Sequence, residues 1–350
     1  MAHPLRRLLM PFGALYGGVV MVRNIGYDGG LFKVKKLPVP VVSVGNISVG
    51  GSGKTPFTMF LVDKLLSMGK KPGVLSLGYK RLSDRRQISF PSASLEVDVQ
   101  LLGDEPALIS RSFPNVPVAA DRDRYAAGVA ILKKFEVDVF ILDDGLQNRE
   151  LHHDLDFVLM PNSLGDLHEN YLPTGNLRDW KGRLRQANVM VLTAHGRYEV
   201  ERKRLDELSG YTDAPVAGVS FIPSGFVDYA GTKFNPEFIK KRTIAAFCGI
   251  AGPQQFFDSL ESMGGLISIR TIFRDHHWFD EYDIDEIFGG DEEIAAITTA
   301  KDAVRIFDDE VLASKEEVRR IYALQEETVV NFGLEHIENS LSNLFERIYA

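Results

Sequence analysis

A glycine-rich turn between residues 50 and 55 combines residue types that can bind phosphate. Its residues, in order, are Gly50, Gly51, Ser52, Gly53, Lys54 and Thr55. Because glycine has no Cβ, successive backbone N–H groups can point into one concavity and surround a polyphosphate. Lys54 adds a mobile positive charge for the β- and γ-phosphates, and the Thr55 hydroxyl can bind Mg²⁺. The pattern predicts that this turn binds the phosphates of a nucleotide.

One position departs from the usual form of this motif, G-x-x-x-x-G-K-[ST]. Ser48 stands where the first glycine is expected, five residues before Gly53. The alternative interpretation is an ordinary glycine-rich turn between a strand and a helix. The context favours phosphate binding, since a β-branched run at 41–45 precedes the turn and apolar residues at helical spacing follow it.

A second chemical signal lies at Asp143 and Asp144, which end the apolar run 137–142. Downstream of a Gly-Lys-Thr turn, a buried strand ending in carboxylates is where a second ligand for Mg²⁺ is expected, directly or through water. The alternative is a simple turn, which an Asp-Gly pair also favours. Thr55, Asp143 and Asp144 are therefore the predicted metal ligands.

Three further residues are ambiguous from spacing alone. Asp104 precedes an apolar helical stretch, and a helix cap is its better interpretation on that evidence. Arg178, in the loop 172–179, could clamp a phosphate or pair with Asp179. Lys301 ends a Thr-Ala-Lys sequence similar to the last guanine-recognition element of GTP switches, but no Asn-Lys-x-Asp precedes it, so a GTPase is the weaker option.

These residues must be positioned by a repeating series of strands and helices. Apolar runs typical of buried strands occur at 41–45, 72–77, 116–120, 137–142, 156–160, 188–193, 243–248, 268–273 and 294–298. Their alternation with helical patterns predicts an α/β fold with mostly parallel strands, whose carboxyl ends face the ligand. We expect a P-loop NTPase-like sheet domain and a second, smaller α/β domain.

The predicted boundaries give four parts. They are an N-terminal arm at 1–36, a nucleotide-binding domain at 37–213, a two-stranded connector at 214–235 with its turn at 223–225, and the smaller α/β domain at 236–350. No second glycine-lysine turn occurs in the last part, so the sequence gives no sign of internal duplication.

Composition narrows the class of protein. With 350 residues, 45% hydrophobic and 25% charged, the chain is typical of a soluble globular protein of two domains. A single cysteine, Cys248, makes a reducing cytoplasmic setting the simplest assumption. The net charge is −8, but residues 1–40 carry +5 and the other 310 therefore carry −13. An acidic body argues against general nucleic-acid binding.

The N-terminal arm has a different character. Its basic residues surround the apolar run from Leu8 to Val22, which is 15 residues long and too short for a confident membrane span. A basic, apolar arm suits an anionic membrane surface. A helix packed on the protein's own core is an equally good interpretation from the pattern alone.

Together the motifs resemble the tetraacyldisaccharide 4'-kinase family of lipid A synthesis, in order and over essentially the whole chain. The matching segments are GNISVGGSGKTP at 45–56, GDEP at 103–106, DDGLQ at 143–147, LPTGNLR at 172–178, GIA at 249–251 and DH at 275–276. The family's phosphate loop commonly lacks the first glycine, in agreement with Ser48. The chain departs from the family pattern at Leu77, Asn148 and Ala300, where Arg, His and Glu are usual.

The resemblance implies transfer of the ATP γ-phosphate to the 4'-hydroxyl of a tetraacyldisaccharide 1-phosphate, giving lipid IVA. It implies ATP and Mg²⁺ as cofactors, an acylated disaccharide held in the membrane as substrate, and a peripheral position at the cytoplasmic face of the inner membrane. We expect a monomer that binds no nucleic acid. The alternatives are a kinase of a soluble small molecule and a non-catalytic ATP-dependent switch.

The resemblance also implies a role for each matching residue. Lys54 would neutralise the phosphates, and Asp104 would accept the proton of the sugar hydroxyl. His276 would pair with Asp104. Arg178 and Gln147 would bind the substrate, and Thr55 with one of the two carboxylates after the strand would hold Mg²⁺.

Overall fold

The computed structural model describes residues 4–95, 98–162, 169–196, 202–291 and 293–349. Its strands, in chain order, are β1 Val41–Gly45, β2 Pro72–Ser76, β3 Gln87–Ser89, β4 Val118–Ala120, β5 Val139–Asp143, β6 Leu155–Pro161, β7 Val189–His195, β8 Val216–Asp228, β9 Lys233–Phe234, β10 Thr243–Cys248, β11 Leu266–Ile272, β12 Ala295–Thr299 and β13 Ile321–Phe332.

Helices occupy most of the connections between these strands. They are α1 Pro4–Asp28, α2 Lys54–Ser67, α3 Val99–Leu102, α4 Asp104–Ser112, α5 Arg124–Leu132, α6 Arg202–Ser209, α7 Pro253–Ser262, α8 Glu281–Phe288, α9 Ala300–Phe307, α10 Glu310–Ala313 and α11 Leu334–Tyr349. The alternation confirms the predicted α/β fold with a mostly parallel sheet.

The chain forms two compact units, each built from separate stretches of sequence. The first unit contains residues 1–76, 123–220 and 328–350, and the second contains 77–122 and 221–327. The division therefore differs from the continuous ranges expected from the sequence. It assigns 77–122 to the second unit because α3 and α4 share a hydrophobic core with α9, where Val99, Leu102 and Ala107 pack with Val304.

The first unit contains a parallel sheet in the order β7-β6-β1-β5-β2. The central strands β1 and β5 are completely buried, which explains their near-continuous apolar sequences. Val44 of β1 lies opposite Asp143 of β5, so both strands end at the same edge of the sheet. The sequence after β1 and the carboxylates after β5 are thereby brought together.

The second unit contains a parallel sheet in the order β11-β10-β12-β13, and a short antiparallel pair of β3 and β4. Phe247 of β10 packs on one hydrophobic cluster with Phe279 and Ile306, and Phe257 of α7 packs in another with Ile297. The carboxyl ends of β10 and β12 precede the segments that carry Gly249 and Lys301.

One expectation about the middle of the chain was wrong, and one strand was missed. The turn expected at 223–225 is absent, because β8 continues through these residues to Asp228 and turns only before β9, where Phe226 pairs with Phe234. Strand β13 was not predicted. Its polar residues at 325–327 interrupt the apolar run and hide the strand in the sequence.

Helix α1 packs on the first unit through small residues. A Cβ on Gly13 would lie 2.6 Å from Thr174 Oγ1, and one on Gly17 would lie 2.5 Å from the Tyr171 ring. The opposite side of the helix exposes apolar side chains. Within the described residues no helix is both long and apolar enough to cross a membrane. The side chains of Arg6 and Arg7, part of the expected basic arm, lie outside the described part of the chain.

Candidate active site

The glycine-rich turn joins β1 to α2 and ends where Lys54 begins the helix. Gly53 has φ 73° and Gly50 has φ 120°, both in the region that favours glycine. Nothing lies within 4 Å of a Cβ placed on Gly50 or Gly51. The turn therefore presents open backbone in front of the first N–H groups of α2, where an anion is favoured by the unpaired donors and the helix dipole.

Asn46 fixes the start of this turn. Its side chain is buried, and Nδ2 donates to Ser52 Oγ at 2.7 Å. Its Oδ1 accepts from Arg178, and Arg178 N–H in turn donates to the carbonyl of Ile47 at 2.9 Å. The glycine-rich turn and the loop 172–179, which carries Arg178, are thus bound to one another by both side-chain and backbone hydrogen bonds.

The two carboxylates after β5 have different environments. Asp143 is buried, and its Oδ1 accepts the Thr58 hydroxyl at 2.9 Å. Asp144 has a positive φ of 52° and forms a two-pronged ion pair with Arg178, one arm of which measures 2.8 Å. Lys54 Nζ lies 3.8 Å from the same carboxylate. Arg178 therefore pairs with Asp144 rather than with Asp179, the partner considered from the sequence.

Charge around Asp144 controls its protonation. Burial pushes the pKa of Asp144 upward, but the charge of Lys54 and the ion pair with Arg178 outweigh burial and hold it below its usual range. Burial likewise opposes the charge of Arg178, yet its bond to Asp144 raises the pKa of the guanidinium. The cluster carries two cations and one anion beside the glycine-rich turn.

The donor set suits Mg²⁺ bound together with a phosphate. Thr55 and Asp143 offer hydroxyl and carboxylate oxygens, the hard donors that Mg²⁺ takes in proteins. No group of three or more acidic, histidine or cysteine side chains in the described residues could enclose a metal by itself. Mg²⁺ is usually held by one or two protein oxygens, water and substrate phosphates.

Gln147 links the glycine-rich turn to helix α1. Its Nε2 donates to the Asn46 carbonyl at 2.8 Å and to Asp179 Oδ2 at 3.1 Å. The other oxygen of Asp179 accepts from Asn24 of α1 at 2.7 Å. Asn24 and Asp179 are both buried, so the bond between them is shielded from water, whereas Gln147 is half-buried.

A second group of residues lies in the second unit, around Asp104. This carboxylate is the first residue of α4 and is 4% exposed. The cap position of α4 is taken by Gly103, so Asp104 is not the helix cap that the spacing favoured. The Asp104 Oδ1 accepts the Glu105 N–H at 2.9 Å, and its Oδ2 hydrogen-bonds to His276 Nδ1 at 2.8 Å. His276 has φ 62°, a strained backbone for a residue with a side chain.

Burial raises the pKa of Asp104, but the hydrogen bond from His276 and the charges of Lys301 and Arg305 outweigh it and hold the pKa below its usual range. Asp104 is therefore an ionised carboxylate at neutral pH. Asp104 and His276 belong to one compact unit, whereas the sequence-based boundaries place them in different domains.

The structure thus gathers the predicted residues into two groups. Lys54, Asp144, Arg178 and Gln147 belong to the first, and Asp104 and His276 to the second. The sequence reasoning did not single out Asn46, Asp179, Lys301 or Arg305 as site residues. Their position in the sequence could have indicated two of them. Asn46 follows β1 and Lys301 follows β12, at the carboxyl ends of parallel strands, where ligands bind.

Residues 5–345 match the family model described as tetraacyldisaccharide-1-P 4'-kinase. The tetraacyldisaccharide 4'-kinase of Aquifex aeolicus is 38% identical over 304 residues, covering 86% of this chain and 90% of the relative. That of Chlorobium limicola is 31% identical over 353 residues, covering 98% and 99%. The crystal structure of LpxK from Aquifex aeolicus in complex with ATP has a TM-score of 0.79 at 34% identity and covers 99% of this chain and 100% of that one.

Proposed function

The chain belongs to the tetraacyldisaccharide 4'-kinase family, the ATP-dependent lipid A 4'-kinases that produce lipid IVA, and from this premise we propose which residues perform each part of the transfer. The first unit is proposed to be the P-loop NTPase-like part, since its glycine-rich turn joins the first strand of a parallel sheet to a helix. It would bind ATP, and the second unit would supply the proton acceptor.

Residues 50–55 would hold the phosphates of ATP. Lys54 would neutralise charge on the β- and γ-phosphates, and its 3.8 Å contact with Asp144 supports a fixed position for the ammonium group. Thr55 with Asp143 or Asp144 would hold Mg²⁺, which when bound supplies charge neutralisation. Asp143 is the better candidate because both oxygens of Asp144 already accept from Arg178.

Asp104 would accept the proton of the sugar 4'-hydroxyl. As that oxygen bonds to the γ-phosphorus, the bond from phosphorus to the oxygen of ADP breaks, and the proton passes to the Asp104 carboxylate. The observation that carries this role is a buried, ionised carboxylate held at 2.8 Å by His276. Proton transfer is late in phosphoryl transfer, so a carboxylate with a low pKa is sufficient.

Two further groups are proposed to bind the acylated disaccharide. The Arg178 side chain is 18% exposed, so its positive charge lies near the surface and is suited to an anionic group of the acceptor. Gln147 is half-buried, and its hydrogen bond to the Asn46 carbonyl places it at the start of the glycine-rich turn.

Helix α1 would bring the protein to its membrane-held substrate. Phe12, Leu15, Val19 and Val22 form one stripe of the helix, and each is at least 60% exposed. Lipid acyl chains are the partner that such a stripe fits. We propose peripheral attachment to the cytoplasmic face of the inner membrane, where ATP is available, with a monomer as the active form because one chain carries both groups of residues.

The decisive experiment is transfer of radiolabelled phosphate from ATP to purified tetraacyldisaccharide 1-phosphate. We expect the parent protein to label the acceptor. Lys54→Ala and Asp104→Ala should each lower turnover by a factor on the order of 10² or more. Asp104→Ala should leave ATP binding, measured by calorimetry, almost unchanged.

The assignment of roles would fail if Asp104→Ala retained turnover within a few-fold of the parent. A parent protein that labelled a soluble sugar but not the acylated acceptor would instead support the soluble-substrate alternative.

A further inference from the structure

Lys301 is a charged residue beside the Asp104–His276 pair, and the proposed transfer assigns no role to it. It lies in the first turn of α9, directly after β12. Its Nζ is 3.4 Å from His276 Nε2, 3.1 Å from Glu105 Oε1 and 3.7 Å from Asp104 Oδ2. The lysine therefore touches the imidazole on the side opposite its bond to Asp104.

The contacts of Lys301 keep its ammonium charged. Burial lowers the pKa of Lys301, but the carboxylates of Glu105 and Asp104 outweigh burial and raise it above its usual value. Because the ammonium has only N–H donors, the 3.4 Å contact is a hydrogen bond when Nε2 is the acceptor.

An accepting Nε2 determines the state of the whole ring. In neutral imidazole one nitrogen accepts and the other carries the proton, so Nδ1 must be the N–H that donates to Asp104. A second proton on Nε2 would face the positive Lys301 at 3.4 Å and is disfavoured by like-charge repulsion. The position of Lys301 therefore favours the tautomer of His276 that donates from Nδ1 to Asp104.

The surrounding groups agree with this arrangement. Arg305 Nε lies 3.9 Å from Asp104 Oδ2, and Asp275 Oδ2 lies 3.8 Å from His276 Nε2 on the exposed side of the ring. The Tyr79 ring meets His276 edge-on at 5.3 Å. Asp104 at Nδ1 and Asp275 near Nε2 are the two carboxylates that face the ring, and Asp275 is farther from Nε2 than Lys301 is.

We propose that Lys301 is a positioning residue for the transfer, which holds His276 in its neutral Nδ1–H form, so that the ring orients the Asp104 carboxylate without adding a full positive charge that would make Asp104 a weaker proton acceptor. Glu105 in turn holds Lys301 against the ring. This inference rests on the proposed role of Asp104 as proton acceptor, but the state of His276 can be measured without turnover.

The direct test is ¹⁵N NMR of the histidine rings in the free, full-length protein. We expect His276 in the parent to show a protonated Nδ1 and an unprotonated Nε2 at neutral pH. In Lys301→Met the titration of His276 should move to higher pH, because removal of a nearby positive charge favours the imidazolium. An unchanged titration of His276 in Lys301→Met would overturn the proposal.

The matched control is Lys315→Met. Lys315 has the same side-chain exposure, 21%, and is likewise paired with two carboxylates, Glu281 and Asp285. It lies in the same unit but not beside His276, so this variant should leave the His276 titration and the rate of transfer unchanged. A shift of the same size in Lys315→Met would show a general charge effect and overturn the specific role.

Kinetics supply the second readout. Lys301→Met should lower kcat about tenfold or more with little change in the KM for ATP, and should move the acidic limb of kcat/KM to higher pH. Lys301→Arg keeps the charge and should retain the parent's acidic limb. A purely structural role would lower the rate without moving that limb, which would overturn the proposal.

If Lys301→Met does not fold, Lys301→Gln provides the test, since it also removes the positive charge but keeps a polar side chain. It should shift the His276 titration in the same direction, and no shift would count against the proposal. The NMR measurement needs no turnover, so the two proposals can fail separately. If Lys301→Met shifts the His276 titration as expected but Asp104→Ala keeps full activity, only the role of Asp104 is refuted.

Discussion

At the scale of single residues, Asp143 and Asp144 illustrate how neighbours acquire different tasks. Asp143 ends a buried strand and accepts a hydrogen bond from Thr58. Asp144, one residue later, has a positive φ and forms ion pairs with Lys54 and Arg178. Asp144 is suited to ordering Arg178 and Lys54. Asp143 is the better candidate to bind a metal. Their sequence, a simple repeat of the same residue, gives no hint of this division.

Asp144→Asn should destabilise the protein by about 1–3 kcal/mol, because the partly buried Arg178 loses a charged acceptor. The pKa of Asp144 is lowered in the folded state, so its contribution is present above the unfolded pKa and lost as pH falls through the folded one. The parent should therefore lose stability below about pH 4, and the variant should lose less. Urea titration at several pH values measures both effects.

Asp84→Asn is the control for this change. It removes the same charge from a pair with Arg122 in which both side chains are more than three-quarters exposed. Such a pair contributes little, so stability should change by less than about 1 kcal/mol at neutral pH. Equal losses in the two variants would contradict the importance assigned to the Asp144 cluster.

At the scale of elements, α1 is held by a glycine face and a polar chain of bonds. Gly17 lets the helix backbone approach Tyr171, while Asn24 bonds to Asp179. Tyr16 adds a bond from its hydroxyl to the Arg178 carbonyl at 3.1 Å. These contacts connect the helix to the loop that carries Arg178, so the packing of α1 bears directly on the site.

Gly17→Ala and Gly18→Ala form a matched pair that tests this packing. The new Cβ at residue 17 would meet the Tyr171 ring at 2.5 Å, and the ring must move, so we expect a loss of about 1–3 kcal/mol. Gly18 has nothing within 4 Å of its Cβ position, and alanine there should stabilise the helix by about 0.5–1 kcal/mol. Unfolding free energies from urea titration give both numbers, and a tolerated Gly17→Ala would refute the close approach.

At the scale of the whole molecule, charge and apolar surface are unevenly distributed. Residues 1–40 carry +5 in a chain of net charge −8, and the same region presents the apolar stripe of α1. A positive, apolar helix on an otherwise acidic protein is suited to a membrane of anionic lipids. The acidic remainder is expected to be repelled by the same surface.

The double variant Leu15→Ser with Val19→Ser should bind vesicles of anionic phospholipid about tenfold more weakly, because two exposed apolar side chains are lost from the stripe. Co-sedimentation with vesicles measures the bound fraction. Leu266→Ser with Tyr282→Ser removes equally exposed apolar residues from the second unit and should leave binding unchanged. Equal losses in both double variants would exclude α1 as the specific contact.

The sequence by itself determined the α/β class, the glycine-rich turn, the carboxylates after β5 and the family, because each depends on local spacing or on residue order. Only the tertiary structure decided that Arg178 pairs with Asp144, that Asn24 reaches Asp179 and that Lys301 faces His276. These contacts join residues between 25 and 155 positions apart. Their partners are selected by strand register and helix packing, which a local pattern does not contain. The same reason explains why β13 was missed: its first residues, 321–324, pair with β12, but the polar residues 325–327 that follow interrupt the local strand pattern.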